Sequence, residues 1–271
     1  MGGERAPHGR RVPRGTGVVT RVSAVVVSHR GAADLRHSLP ALAPQVDEIV
    51  VVANIPGSVD AVPAGTRVLE NERPQGFAAN ANRGIAETTG EFVLLANPDA
   101  VPEPDAVAEL CAFAESRVRC GIAGPRMLGL DGELVPSRRR FPTVRGTLVR
   151  RTPLRRVLRP LERQRAHYHL GEDVTEPVQA DWLLGGFVLL RREMLDEIDG
   201  FDAGFRLYGE DIDLCYRAAR AAWERWYVPA AVVHHEWKRE TDRKLLTRRT
   251  LWHWRGIARF VRKHPETLAR L

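Results

Sequence analysis

Three stations along the chain carry residue types that could do chemistry. Asn97-Pro98-Asp99 closes an apolar run, Glu210-Asp211 stands where a helical pattern begins, and His234 ends a later apolar run. A carboxylate and an imidazole brought together at strand ends can hold a divalent cation. A separate carboxylate is then free to accept a proton. That combination is what moving a group off a diphosphate requires. Each station also has a plainer explanation. Asp99, with Pro102 and Pro104 behind it, suits a turn, and acids at a helix start suit the dipole and the cap. Histidine at a strand end is most often structural. Because side chains alternate along a strand, only one of His234 and His235 can face a common site.

The elements that must position these residues follow a regular rhythm. Val22–Ser28, Asp47–Ala53, Thr66–Glu70 and Glu91–Ala96 read as strands. Their apolar side chains are continuous rather than alternating, as in strands covered on both faces. Ala33–Ala43, Gly76–Thr89 (stopped by Gly90) and Pro104–Arg117 read as helices between them. This βαβ alternation predicts an α/β fold with a Rossmann-like, mostly parallel sheet flanked by helices. Ligands in such sheets lie beyond the carboxyl ends of the strands. Ser28-His29-Arg30, Ala53-Asn54 and Asn97-Pro98-Asp99 all fall there. Neither a G-x-G-x-x-G nor a Walker loop follows the first strand, which argues against a dinucleotide or P-loop enzyme.

Beyond about residue 125 the rhythm changes. Residues 129–180 are rich in arginine, proline and loop formers, with a weak helical pattern over Leu154–Arg165. Trp182–Arg191 reads as one strand containing Gly185-Gly186, and Arg192–Ile198 as a helix. Gly200–Gly209 is a loop carrying Phe201, Phe205 and Tyr208, and Asp211–Ala222 is a helix. Trp226–Val228 and Ala231–His234 are short strands split by Pro229, and Lys244–Lys263 is a basic amphipathic helix.

Composition sets the outer bounds. The 271 residues, 44% hydrophobic and 28% charged, describe an ordinary globular protein with ample core. The longest apolar runs are too short to span a bilayer, and residues 1–20 lack the apolar core of a secretory signal and read as a disordered tail. Three cysteines without metal-type spacing read as buried, reduced thiols in a cytoplasmic protein. The net charge of +7 is concentrated. Eleven arginines face one acid, Glu162, between Arg138 and Arg165, and ten Lys and Arg face Glu240 and Asp242 between Lys238 and Lys263. Such patches suit phosphorylated ligands or an anionic surface, or are simply solvated faces.

In order, Gly76–Gly84 (GFAANANRG), Asn97-Pro98-Asp99, Ser137–Pro142 (SRRRFP), Trp182 with Gly185-Gly186 and Arg191-Arg192, Gly200-Phe201-Asp202, Tyr208–Leu214 (YGEDIDL) with Arg217, and Val228-Pro229 through His234 form a succession. It resembles glycosyltransferase family 2, of GT-A fold, and most of all its bacterial rhamnosyltransferase branch. The resemblance covers about Val22 to His234. It implies a GT-A domain over 21–237, with a nucleotide-sugar half at 21–127 and an acceptor and catalytic half at 128–237. Residues 238–271 form a basic C-terminal extension outside it.

The resemblance also implies roles. Asp99, with Asn97 beside it, matches the acidic motif that binds the donor diphosphate and a Mg2+ or Mn2+ ion. Many members have Asp where this chain has Asn97. His234, favoured over His235, matches a further metal ligand. Asp211 matches the catalytic base and Glu210 the acid that orients it. Ser28, His29 and Arg30 match the donor-binding strand end, Asn54 stands where an Asp commonly reads the pyrimidine, and Asn82 and Arg83 match a helix-start segment facing the donor. Trp182, Gly185 and Gly186 match the acceptor side, where an indole could stack on a sugar face. The implied reaction is inverting transfer of a sugar, rhamnose or another deoxysugar, from a dTDP- or UDP-linked donor. The implied acceptor is a cell-wall or surface glycan, carried on a polyprenyl diphosphate at the inner face of the plasma membrane. The basic segments would then meet anionic headgroups, while Trp237, Trp252 and Trp254 would meet either the interface or a second copy in a homodimer. Two alternatives compete: a nucleotidyltransferase, which needs a Gly-rich basic loop after the first strand where only Ser28-His29-Arg30-Gly31 stands, and a non-catalytic basic module binding RNA or membrane, which leaves Asp99, Asp211 and His234 unexplained.

Overall fold

The computed structural model describes residues 20–141, 173–235 and 248–270. The N-terminal tail up to residue 19, the weak helical pattern at Leu154–Arg165, most of the arginine run, Trp237 and the start of the basic C-terminal helix lie outside the described residues.

Strands β1 (Val22–Ser28), β2 (Glu48–Ala53), β3 (Arg67–Glu70) and β4 (Phe92–Ala96) form the parallel half of the sheet, in the order β3-β2-β1-β4. Every residue of β1 and β4 is buried, which explains why their sequences are apolar without a break. Helices α1 (Ala32–Leu42), α2 (Phe77–Ala86) and α3 (Ala106–Glu115) cover the faces. Gly84 lets α2 lie close to the sheet, since a Cβ there would collide with Val25 Cγ1.

The sheet continues through β11 (Phe187–Arg191), β6 (Cys120–Leu128), β12 (Glu224–His235) and β5 (Ala100–Pro102). β11 is antiparallel to both β4 and β6, whereas β6 and β12 are parallel and β5 returns antiparallel against β12. The central sheet is therefore mostly parallel, as the sequence predicts. Short strands β7 (Leu134–Val135) and β9 (Val178–Gln179) pair with β6 and β12. β8 (Arg138–Arg139) and β10 (Trp182–Leu183) make a separate ribbon. Helices α4 (Arg192–Glu197), α5 (Glu210–Arg220) and α6 (Arg248–Lys263) complete the described elements.

Two predicted elements come out differently. The expected strand Trp182–Arg191 is two strands in different sheets, broken at Gly185-Gly186. The expected break at Pro229 does not occur. β12 runs through it, absorbing the proline in a register shift between Val228 and Val232.

Candidate active site

β1 and β4 are neighbours in register, with Val26 opposite Ala96, so their carboxyl ends emerge side by side. Gly31 permits this crowding, because a Cβ there would lie 2.9 Å from Pro98 Cβ. Asn97 stays tied to the sheet: its backbone N–H donates to Gly186 O at 2.8 Å. Asp99 then projects from the turn between β4 and β5 with its carboxylate 21% exposed.

The structure reverses the expected choice between the two histidines. β12 pairs with β5 so that His234 lies opposite Val101 and His235 opposite Ala100. His234 points to the exposed side, where its Nε2 lies 2.9 Å from Glu103 Oε1. His235 is buried, with Nε2 3.4 Å from Asp99 Oδ1 and 3.2 Å from Asn97 Nδ2. Its Nδ1 is buried without a hydrogen-bond partner among the described residues. Both residues were available to sequence reasoning. What separated them was the register of β12, which the assumed break at Pro229 obscured.

Asp211 reaches the same region from the far half of the chain. Its carboxylate accepts the Ile212 N–H at 2.9 Å and also the Gly185 N–H. A Cβ at Gly185 would touch Asp211 Cβ at 3.5 Å, while one at Gly186 would lie 3.3 Å from His235 Nε2 and 3.4 Å from Asn97 Nδ2. The diglycine thus connects the two acidic stations, with Asp211 against its first residue and Asn97 and His235 against its second. A side chain at Gly186 would fill the space between them.

Burial dominates the electrostatics of the acidic pair. Glu210 is 8% exposed, and its Oε2 has no hydrogen-bond partner among the described residues. Burial, reinforced by the charge of Asp211, pushes its pKa up to about 8. Burial also raises Asp211, but the Arg139 guanidinium and the Ile212 and Gly185 N–H groups oppose that rise. Both carboxyls are thus held above their usual range by burial, and only Asp211 has donors around it that offset part of the effect. Neither acid caps α5 in the ordinary way, since Gly209 occupies the cap position at φ 97°.

Other expected site residues are committed to the protein itself. Ser28 is buried, and its hydroxyl donates to Ser58 O at 2.6 Å. Asn82 donates to Phe201 O at 2.7 Å and accepts from Phe201 N at 2.9 Å, so both ends of its amide hold the Gly200–Gly209 loop. Arg83 donates to Glu70 O at 3.0 Å and to Asn71 Oδ1. Asn54 Oδ1 accepts from Gln75 N at 2.8 Å and Asn71 Nδ2 at 3.0 Å, with Asn71 bonded onward to Asn80. His29 meets this network through Nδ1, 3.3 Å from Asn54 Nδ2, and Arg30 is exposed at φ 66°. Of this group, only His29 and Arg30 are exposed at the strand end.

Trp182 is not placed to stack on a ligand. It is 6% exposed, its indole N–H donates to Arg140 O at 2.8 Å, and the Arg139 guanidinium lies 4.8 Å from its ring. Its packing orders Arg139 instead, a residue not singled out from the sequence, although the Ser137–Pro142 segment containing it was.

The three cysteines are free, and burial pushes each thiol up to about 12, which favours the unreactive thiol form.

Residues 43–254 match the family described as Glycosyltransferase like family 2. The chain belongs to that family. It is 30% identical over 203 residues to the N-acetylglucosaminyl-diphospho-decaprenol L-rhamnosyltransferase of Mycobacterium tuberculosis, a match covering 66% of this chain and 64% of the relative. It is 32% identical over 90 residues to the rhamnosyltransferase WbbL of Escherichia coli K12, covering 33% of this chain and 34% of WbbL. The chain thus spans somewhat under two thirds of the mycobacterial relative's length. Among solved structures, GalNAc-T7 with UDP, GalNAc and Mn2+ aligns with a TM-score of 0.58 at 18% identity, over 80% of this chain and 43% of that one. The Pyrobaculum calidifontis mannosyltransferase PcManGT with GDP-Man and Mn2+ gives 0.52 at 18%, over 90% and 64%. These likenesses place this family 2 glycosyltransferase in the GT-A fold.

A divalent ion has only a partial protein donor set here. Among the described residues no group of three or more His, Cys, Asp and Glu is placed to hold a metal. Asp99 and His235 supply one oxygen and one nitrogen donor facing each other, a pairing whose chemistry fits a hard or borderline cation. No helix among the described residues is long and apolar enough to cross a membrane.

Proposed function

We propose that this enzyme transfers a sugar, rhamnose or a related deoxysugar, from a dTDP- or UDP-linked donor to a hydroxyl of a polyprenyl-diphosphate-linked glycan, with inversion. The observation that carries the reading is the diglycine junction, which sets Asp211 against Gly185 and the Asn97, Asp99 and His235 group against Gly186. The sugar and the acceptor class follow the name of the mycobacterial relative, an N-acetylglucosaminyl-diphospho-decaprenol L-rhamnosyltransferase, and the dTDP- or UDP-linked donor follows the family resemblance.

In this mechanism the donor diphosphate lies at the strand ends near Asp99 and His235, with His29 and Arg30 facing it. A divalent cation held there by Asp99 and His235 would offset the charge that develops on the leaving diphosphate. Asp211 accepts the proton of the acceptor hydroxyl. That oxygen bonds to the anomeric carbon as the bond from this carbon to the diphosphate oxygen breaks, and the nucleoside diphosphate departs with the electron pair. A single displacement inverts the centre, and a covalent enzyme intermediate has no place in it. Burial disfavours the ionised form of Glu210, which limits the negative charge beside Asp211. The fixed charge of Arg139 favours the ionised base and an anionic acceptor.

Peripheral contact with an anionic membrane belongs to the same proposal. It rests on Leu251, Arg255 and Arg262, which are exposed on α6. Trp252 contributes less than its type suggests, because it lies 5.4 Å from the Arg206 guanidinium within the fold.

Calorimetric titration of dTDP and UDP with and without Mn2+, combined with a transfer assay, tests the reading. Asp99→Ala is expected to abolish the metal-enhanced part of binding. Asp211→Asn is expected to bind donor normally and lose transfer by at least about a hundredfold. Near-normal turnover in Asp211→Asn would remove the base assignment.

A further inference from the structure

Asp213 lies two residues beyond Asp211 in the same helix and is fully buried. Its carboxylate is surrounded by donors: Arg217 Nε at 2.7 Å, Lys263 Nζ at 3.0 Å and His264 Nε2 at 2.8 Å. Arg217 belongs to the same helix, but Lys263 and His264 come from the C-terminal helix α6 and the residue after it. A surface helix can be anchored by apolar contacts alone, and α6 has such contacts through Phe260, which joins Phe205 and Tyr216. The placement of ammonium and imidazole on one buried acid is therefore an additional, directional constraint.

The same lysine has a second partner. Lys263 Nζ lies 2.8 Å from Asp202 Oδ2, and Arg259 Nη2 lies 2.8 Å from Asp202 Oδ1. Burial alone would raise the pKa of Asp202, but hydrogen bonds from Arg259, Lys263 and the Gly204 N–H hold it well below the usual carboxylate range. Asp202 lies near the start of the Gly200–Gly209 loop and Asp213 lies just past its end, so one ammonium ties both ends. Near the end of the loop, Gly256 of α6 lies so close to Tyr208 O that a Cβ there would have no room. The loop then enters α5 through Gly209, which has no side chain and provides no side-chain cap. Within the first turn Ile212 N–H donates to Asp211 and Asp213 N–H to Gly209 O, and α6 adds a constraint on its direction from outside.

On its opposite side the loop touches the donor half. Phe77 N donates to Arg206 O at 2.9 Å, and Asn82 holds Phe201 through two hydrogen bonds. The segment is thus a strap between the helix start of the donor half and the turn carrying Glu210 and Asp211.

We infer that Lys263 and Arg259 are positioning residues for transfer: through Asp202 and Asp213 they fix the strap and set the orientation in which Asp211 meets the acceptor hydroxyl. This rests on the reading of Asp211 as the base. Base misplacement by a fraction of the reacting distance lowers turnover without weakening the donor contacts at the strand ends.

The experiment compares Lys263→Met, Arg259→Met and Lys263→Arg in the full chain by steady-state transfer kinetics and by hydrogen exchange at Gly209–Leu214. For both Met variants kcat is expected to fall about tenfold or more while donor KM stays within about twofold, and Lys263→Arg is expected to recover most of the loss. Exchange at Gly209–Leu214 is expected to quicken in the Met variants and not in Lys263→Arg. Turnover within about twofold of the parent in both Met variants overturns the inference. So does a joint loss of kcat, KM and thermal midpoint that arginine fails to recover, since that marks a purely structural anchor. If Lys263→Met does not fold, Arg259→Met decides alone, because its guanidinium is 36% exposed and acts only on Asp202 among the two acids. Hydrogen exchange is read without substrate, so unchanged protection sinks the strap even if the transfer reaction proves to be another.

Discussion

Asn82→Ala separates a donor contact from a structural clamp. The resemblance places this side chain in a segment that faces the donor, whereas the structure spends both of its amide groups on the Phe201 backbone, at 2.7 and 2.9 Å. Truncation removes two hydrogen bonds and leaves one N–H and one C=O of a partly buried turn without partners. Each lost bond is worth about 1 kcal/mol net, and each stranded group adds up to about 1 kcal/mol where water cannot reach it, for a total of roughly 2–4 kcal/mol. Against a native stability of about 5–15 kcal/mol this is a large fraction. Urea denaturation followed by tryptophan fluorescence measures it, with Trp223 and Trp182 buried as reporters. At concentrations of denaturant well below the transition, dTDP or UDP affinity is expected to stay within about threefold of the parent, because the donor loses no contact. A variant that is destabilised by less than about 0.5 kcal/mol, yet loses donor affinity tenfold or more, would refute the clamp and restore Asn82 to the donor site.

Two further predictions follow from the same geometry. His235→Ala is expected to weaken Mn2+-dependent nucleoside diphosphate binding by about 10- to 100-fold, whereas His234→Ala, whose imidazole meets Glu103 on the exposed side, changes it little; equal effects in the titration would contradict the register of β12. The second concerns pH. Glu210 has a folded pKa near 8 against an ordinary value of 4.5, so between those values the native state retains a proton that the unfolded chain has released, and stability falls as pH rises. Glu210→Gln keeps the neutral form at every pH. Its thermal midpoint is expected to decline less than the parent's between about pH 5 and 8, and parallel profiles would show that Glu210 ionises normally.

The family and the parallel half of the sheet were legible because they depend on local signals. Continuous apolar runs mark strands covered on both faces, and β1 to β4 lie within a residue or two of where those runs end. Asn97-Pro98-Asp99 and Glu210-Asp211 were legible because strand ends and helix starts are where a chain can present carboxylates to a crevice. The β6 strand was missed, since Gly121, Gly124 and Pro125 interrupt its pattern and its partners β11 and β12 are remote in sequence. Asn82, Arg83 and Trp182 were assigned to ligands because a motif shows which residues recur together and not which atoms they spend on one another.

Sequence alone determined the types of group available: two acidic stations, a pair of histidines and a basic C-terminal helix, on an α/β framework whose strand ends form a crevice. Tertiary structure decided which of them meet. Side-chain direction on a strand reverses with each residue, so the choice of His235 over His234 depended on how β12 pairs with β5 across more than a hundred residues of chain. The raised pKa of Glu210 and the clamping of Asp213 by Lys263 and His264 are likewise consequences of burial and long-range contact, quantities that do not exist until the chain has folded.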